Sequence, residues 1–120
     1  MRKKRILLID DEPSFTRMLK LNLEESGAYE VREENRGRFG LEAARQFKPD
    51  LILLDIVMPD MSGGEVACEI EADRTTKDTP IVFLTAAAKK KEDEGIIAGR
   101  TIIAKPVTVE EVIDCIERTL

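Results

Sequence analysis

Five side chains in this sequence carry chemistry and each follows a short apolar run. Asp10 and Asp11 follow Ile6-Leu7-Leu8-Ile9, Asp55 follows Leu51-Ile52-Leu53-Leu54, Thr85 follows Ile81-Val82-Phe83-Leu84, and Lys105 follows Thr101-Ile102-Ile103-Ala104. Taken singly, an aspartate after such a run caps a helix or closes a turn. Gathered in one place, three carboxylates repel and raise one another's pKa unless a cation relieves them. A few hard oxygen ligands with room for water suit magnesium better than zinc. Two carboxylates and a backbone carbonyl around the ion would leave positions open for phosphate oxygens. An aspartate beside such an ion is a plausible nucleophile, because carboxylates form aspartyl phosphates. A hydroxyl and an ammonium, here Thr85 and Lys105, could then hold the new phosphoryl oxygens. Phosphoryl transfer needs little beyond that positioning and charge neutralisation.

The runs must lie side by side for these residues to meet, and the pattern between them predicts that they do. Pro13 opens a helical stretch to about Glu25, which Gly27 stops. Tyr29-Glu30-Val31-Arg32 alternates like an edge strand, ending among Glu33, Glu34 and Asn35. A helix follows from about Arg38 to Phe47, with Phe39, Ala43, Ala44 and Phe47 on one side, and Lys48-Pro49-Asp50 breaks it. After the Asp55 loop, with Pro59 and Gly63-Gly64, a helix places Val66, Ala67 and Ile70 on one face. A charged helical stretch is expected from Lys89 to about Ile97, short or frayed because Gly95 interrupts it. Thr108 and Glu111 form a capping box for a last helix carrying Val109, Val112, Ile113, Ile116 and Leu120. Five strands alternating with five helices demand a parallel sheet covered on both faces, with right-handed crossovers. In such sheets ligands bind beyond the carboxyl ends of the strands, which is where the five residues sit.

Composition narrows the remaining field. The 120 residues make one domain, 1–120, with 42% hydrophobic and 36% charged residues, an ordinary globular mixture. A net charge of −5 argues against direct nucleic-acid binding. The apolar stretch after Met1-Arg2-Lys3-Lys4-Arg5 is too short for a signal peptide or a membrane span, so a cytoplasmic protein is expected. With no histidine in the chain, a Ser-His-Asp triad, a His-ligated metal and a phosphohistidine are excluded. Cys68 and Cys115 read as reduced packing residues.

The order and spacing of several motifs resemble the receiver (response-regulator) domain of bacterial two-component signalling over essentially the whole chain. They are Ile9-Asp10-Asp11-Glu12-Pro13, Lys48-Pro49-Asp50 through Asp55-Ile56-Val57-Met58-Pro59 with Met61-Ser62-Gly63, Leu84-Thr85-Ala86, and Lys105-Pro106. The resemblance implies a flavodoxin-like (βα)5 fold with strand order 2-1-3-4-5. It implies Asp55 as phosphoacceptor, Asp11 as a direct magnesium ligand, Asp10 acting more through water, and the Val57 carbonyl completing the set. Thr85 would be the switch hydroxyl, Lys105 its phosphoryl-pairing lysine on a cis bond to Pro106, and the Ala86 amide a further phosphoryl contact. The implied donor is a phosphohistidine on a sensor histidine kinase or phosphotransfer protein, and the output a downstream protein or output domain. Dimerisation through the fourth-helix, fifth-strand and fifth-helix face is a further implication. Such a domain is no enzyme beyond its own phosphorylation and dephosphorylation.

The sequence departs from the family pattern at Ile102, where an aromatic often stands three residues before the lysine. Val57 and Ala87, flanking the acceptor and the switch threonine, cannot position water by hydrogen bonding, so slow self-dephosphorylation is expected. Two rival readings stand beside the switch. A magnesium-dependent phosphatase working through an aspartyl phosphate would need a second aspartate at position 57, which is valine. A degenerate receiver would serve only as a docking module.

Overall fold

The computed structural model describes residues 2–86, 95–97, 100–105 and 107–120, with backbone alone at 85, 95–97 and 100. The strands are β1 (Lys4–Ile9), β2 (Tyr29–Glu34), β3 (Leu51–Leu54), β4 (Ile81–Thr85), β5 (Gly95–Ile97) and β6 (Arg100–Ala104). The helices are α1 (Pro13–Glu25), α2 (Gly40–Phe47), α3 (Gly63–Ala72) and α4 (Val109–Thr119), with a 3-10 turn at Gly37–Phe39. Across the sheet the order is β2-β1-β3-β4-β6-β5. Every neighbouring pair is parallel except β5 with β6. The five parallel strands therefore run 2-1-3-4-5, as expected. The strand order reverses between β1 and β3, the switch point where sheets of this kind open a crevice.

The central strands explain both the layering and the position of the polar residues. Ile6 and Leu8 of β1 and Leu51 and Leu53 of β3 pack with Leu19, Leu23, Val112 and Ile116, under α1 and α4. Their alternate neighbours Leu7, Ile9, Ile52 and Leu54 pack with Ala43, Ala44, Val66 and Ile70, under α2 and α3. Each fully buried aliphatic side chain contributes about 1.5–3 kcal/mol. A strand covered on both faces has no place for a charge along its length, so ionised groups begin where these strands end.

The helix termini follow the sequence signals closely. Pro13 opens α1, and Gly27, at φ +82°, takes the left-handed position beyond its end. Thr108 and Glu111 form the expected capping box of α4, and Ser62 with Glu65 forms another at α3.

Four expectations need correction. The helix expected to reach Ile97 does not, because Gly95–Ile97 pairs antiparallel with β6 as the edge strand β5. The two β-branched isoleucines favour that extended form, and Gly95 disfavours the helix. The remainder of that expected helix, residues 89–94, lies outside the described residues, as do Ala87 and the Lys105-Pro106 bond. Phe39 is 46% exposed and leaves the α2 stripe. It belongs to the 3-10 turn, whose tighter winding rotates it outward, with the Arg38 guanidinium 5.0 Å from its ring centroid. Cys115 is buried as expected, but Cys68 is exposed on the outer face of α3. Leu120 is also exposed, beyond the end of the α4 stripe.

Candidate metal and phosphoryl site

Strand register builds the site. Leu8 pairs with Leu53 and Ile9 with Leu54, so Asp10 and Asp55 emerge side by side beyond β1 and β3. The Asp55 amide donates to the Ile9 carbonyl at 2.9 Å, extending the ladder to the acidic rim. Carboxylate oxygens of Asp10, Asp11 and Asp55 lie within 4.8 Å of one another. On β4 the Thr85 backbone pairs with Ala104, so Lys105 follows directly beyond that pair. The Lys105 ammonium reaches back over the acids, 2.5 Å from Asp10 Oδ2, 3.3 Å from Glu12 Oε1 and 3.9 Å from Asp55 Oδ2. It lies 4.4 Å from the Phe15 ring centroid, within cation–π range.

Asp10 is 3% and Asp55 6% exposed, so these are acids in a half-dry cup rather than solvated surface charges. Burial pushes the Asp55 carboxyl up to about 6, reinforced by the charge of Asp10 and only partly offset by Lys105 and the Val57 amide. Burial likewise raises Asp10, although the Lys105 hydrogen bond and the Glu12 amide oppose it. Burial works against the Lys105 charge, but Asp10, Asp55 and Glu12 outweigh it and hold the ammonium firmly protonated. Among the described residues three acidic side chains therefore share one ammonium. That surplus negative charge on clustered hard oxygens fits a small divalent ion such as magnesium, with Asp10, Asp11 and Asp55 as the side chains to hold it.

The loop carrying Asp55 is held by close backbone packing. The Gly63 amide donates to the Ile56 carbonyl at 2.7 Å. A Cβ at Gly63 would come within 2.2 Å of the Asp55 carbonyl oxygen and 2.7 Å of Ile56 Cα, where no side chain can yield. Gly63→Ala is expected to destabilise the protein by about 3 kcal/mol or more, the upper range for overpacking against backbone. Gly64→Ala meets nothing nearer than 3.9 Å and is expected to be neutral or slightly stabilising. Urea denaturation of both variants checks the contrast; equal midpoints would contradict it.

The structure brings Asp10, Asp11, Asp55 and Lys105 together. It places the Thr85 backbone on the same rim and Ala86 in the turn beyond it, while the Thr85 side chain lies outside the description. Val57 sits in the Asp55 loop, its amide donating to Asp55 Oδ1 at 3.3 Å, and the residue is 64% exposed. Ile102 is buried in the α2–α3 cluster, paired in register with Phe83. Two features were beyond sequence reasoning. Gly63 stood within a recognised motif, but its close approach to Asp55 depends on the folded loop. Asn35, noted only as part of a strand end, donates to the Asp10 carbonyl at 2.8 Å.

Comparison with known proteins places this geometry in context. Residues 6–117 match the family model described as the response regulator receiver domain. The polar-differentiation response regulator DivK of Brucella anthropi is 33% identical over 119 residues, which cover 98% of this chain and 96% of DivK. The DNA-binding dual master transcriptional regulator RpaA of a Synechocystis strain is 36% identical over 111 residues. That match covers 91% of this chain but only 46% of RpaA, so the chain spans about half of that relative. Among solved structures, the chemotaxis protein CheY4 of Vibrio cholerae superposes with a TM-score of 0.85 at 29% identity, covering 99% of this chain and 100% of CheY4. The response regulator TrrA of Thermotoga maritima, solved in complex with Mg(2+)-BeF, superposes at 0.81 with 36% identity, covering 98% of this chain and 99% of TrrA.

Proposed function

Because the chain belongs to the response regulator receiver domain family, we propose that it is a switch operated by phosphorylation of Asp55. The observation that carries this reading is the carboxylate of Asp55 set beside those of Asp10 and Asp11 with the Lys105 ammonium over them. A carboxyl at about 6 is ionised at neutral pH and available as a nucleophile. One Asp55 oxygen attacks the phosphorus of a phosphohistidine on a sensor kinase or phosphotransfer protein. The new bond is C–O–P; the P–N bond breaks, and its electron pair stays on the imidazole, which takes up a proton. Magnesium, when bound by Asp10, Asp11, Asp55 and the Val57 carbonyl, supplies charge neutralisation for the phosphoryl oxygens. That the similar protein TrrA was solved in complex with Mg(2+)-BeF supports a magnesium site here.

The chain's remaining residues would respond to the added charge of about two units. Lys105 pairs with a phosphoryl oxygen, and the Thr85 hydroxyl and Ala86 amide take others. Drawing Thr85 inward shifts the end of β4 against β6, where Ile102 and Phe83 lie side by side. Ile102 has no ring to rotate, so the relay works by repacking of this apolar cluster. The change reaches a downstream protein, an output domain or a second copy across the β6–α4 side. Catalysis is limited to the domain's own phosphorylation and dephosphorylation, which is slow because Val57 cannot orient water. A cytoplasmic site of action fits a histidine-kinase donor, and among the described residues no helix is long and apolar enough to cross a membrane.

Incubation with acetyl phosphate and magnesium tests this reading by intact mass. The expected result is a gain of one phosphoryl group that EDTA suppresses and that Asp55→Asn abolishes. An Asp55→Asn protein that labels like wild type would overturn it. A folded wild type that neither labels nor binds magnesium would favour the docking-module reading.

A further inference from the structure

A second layer of polar residues lies behind the acidic cup, and the site as described leaves it without a role. Asn35 Nδ2 donates to the Asp10 carbonyl at 2.8 Å and to Thr16 Oγ1 at 3.0 Å, one hydrogen for each. Thr16, fully buried, has a single hydroxyl hydrogen. Its nearer acceptor is Glu33 Oε1 at 2.8 Å, against 3.2 Å for the Pro13 carbonyl, and a carboxylate is the stronger acceptor. The other Glu33 oxygen is held by Arg17 Nε at 2.9 Å. Donation therefore diverges from Asn35, to the Asp10 carbonyl on one side and through Thr16 to a charge-anchored Glu33 on the other, and the four groups form one continuous chain.

The carbonyl at the head of this chain belongs to the peptide joining Asp10 to Asp11. Peptide planes are rigid, so fixing that carbonyl fixes the plane from which the Asp11 side chain departs. The other two acids have side-chain anchors: Asp10 bonds Lys105 and the Glu12 amide, and Asp55 bonds the Val57 amide. Asp11 has no hydrogen-bond or ion-pair partner among the described residues, so its aim depends on its backbone. The geometry points to Asn35, Thr16 and Glu33 as a positioning relay that aims the Asp11 carboxylate at a divalent cation. This rests on the reading of the acidic cup as a magnesium site. Outer-shell partners of metal ligands commonly set affinity in this manner.

Calorimetric titration of magnesium chloride into the whole chain tests the relay, with wild type, Asn35→Ala, Thr16→Val and Thr16→Ser compared. Melting in EDTA is recorded for each. Asn35→Ala and Thr16→Val are expected to weaken magnesium binding about tenfold or more. Thr16→Ser, which keeps the hydroxyl, is expected to bind close to wild type. A merely structural role would lower the EDTA melting point and leave the affinity of the folded protein unchanged. Wild-type affinity in folded Asn35→Ala and Thr16→Val overturns the relay alone. No magnesium binding by wild type overturns the relay and the site reading together. Should the buried Thr16→Val fail to fold, the half-buried Asn35→Ala decides by itself.

Discussion

Replacing Lys105 by methionine is expected to destabilise the ion-free protein by about 3–5 kcal/mol at pH 7, the cost of removing one partner from a buried ion pair. The Lys105 side chain is 10% exposed and faces Asp10, Asp55 and Glu12, so its loss strands two buried carboxylates in a cup that also holds Asp11. Saturating magnesium should recover much of the loss, because a dication supplies the missing positive charge to the same oxygens. Lowering the pH towards 5 should recover part of it as well, since both buried carboxyls are raised and take up protons more readily once the ammonium is gone. Urea denaturation followed by circular dichroism is the appropriate measurement, as the chain has no tryptophan. A deficit of the same size in EDTA and in magnesium would show that Lys105 contributes packing rather than charge.

Asp55→Asn is expected to act in the opposite direction when the ion is absent. The carboxyl is raised from 3.8 to about 6 in the folded protein, chiefly by burial. The folded state therefore holds this proton more tightly than the unfolded chain. Stability from this group is present below about pH 4 and is lost as the pH rises to about 6. Two pK units correspond to about 3 kcal/mol, an upper figure for the gain from Asp55→Asn in EDTA above that window. The gain should vanish below pH 4. With magnesium present the sign should reverse, because wild type gains binding energy that the amide variant has largely lost. Paired pH series of denaturation midpoints check this. An Asp55→Asn protein less stable than wild type in EDTA at pH 7 would contradict it. Asp50 and Asp73 are lowered rather than raised, so their contributions fall away at acid pH in both proteins and cancel in the comparison.

Much of this site was readable before any fold was known, for a physical reason. Strands buried on both faces leave an unbroken apolar run, and the first charge after the run marks the strand end. That logic located Asp10, Asp55 and Lys105, and the alternation with helices put those ends on one rim. It did not locate Asn35 or the use of Gly63, because both act through contacts between segments remote in sequence. Asn35 reaches back to β1 and α1, and Gly63 presses its backbone on the Asp55 loop. The α2 stripe failed at Phe39 because a 3-10 turn precedes the helix there. Asp60 stabilises that turn, accepting from the Gly37 and Arg38 amides at 3.2 and 3.0 Å. Helical spacing misjudged residues 95–97 for a related reason: a three-residue strand is too short to show a repeating pattern, and its partner β6 decides its form.

The acceptor itself can be identified chemically. An acyl phosphate is reduced by borohydride to an alcohol, which turns a phosphorylated aspartate into homoserine. Wild type treated with acetyl phosphate and magnesium, reduced and digested, should yield homoserine at position 55, and only background after EDTA. Homoserine at position 10 or 11, or none anywhere in folded, magnesium-loaded protein, would contradict the assignment of Asp55.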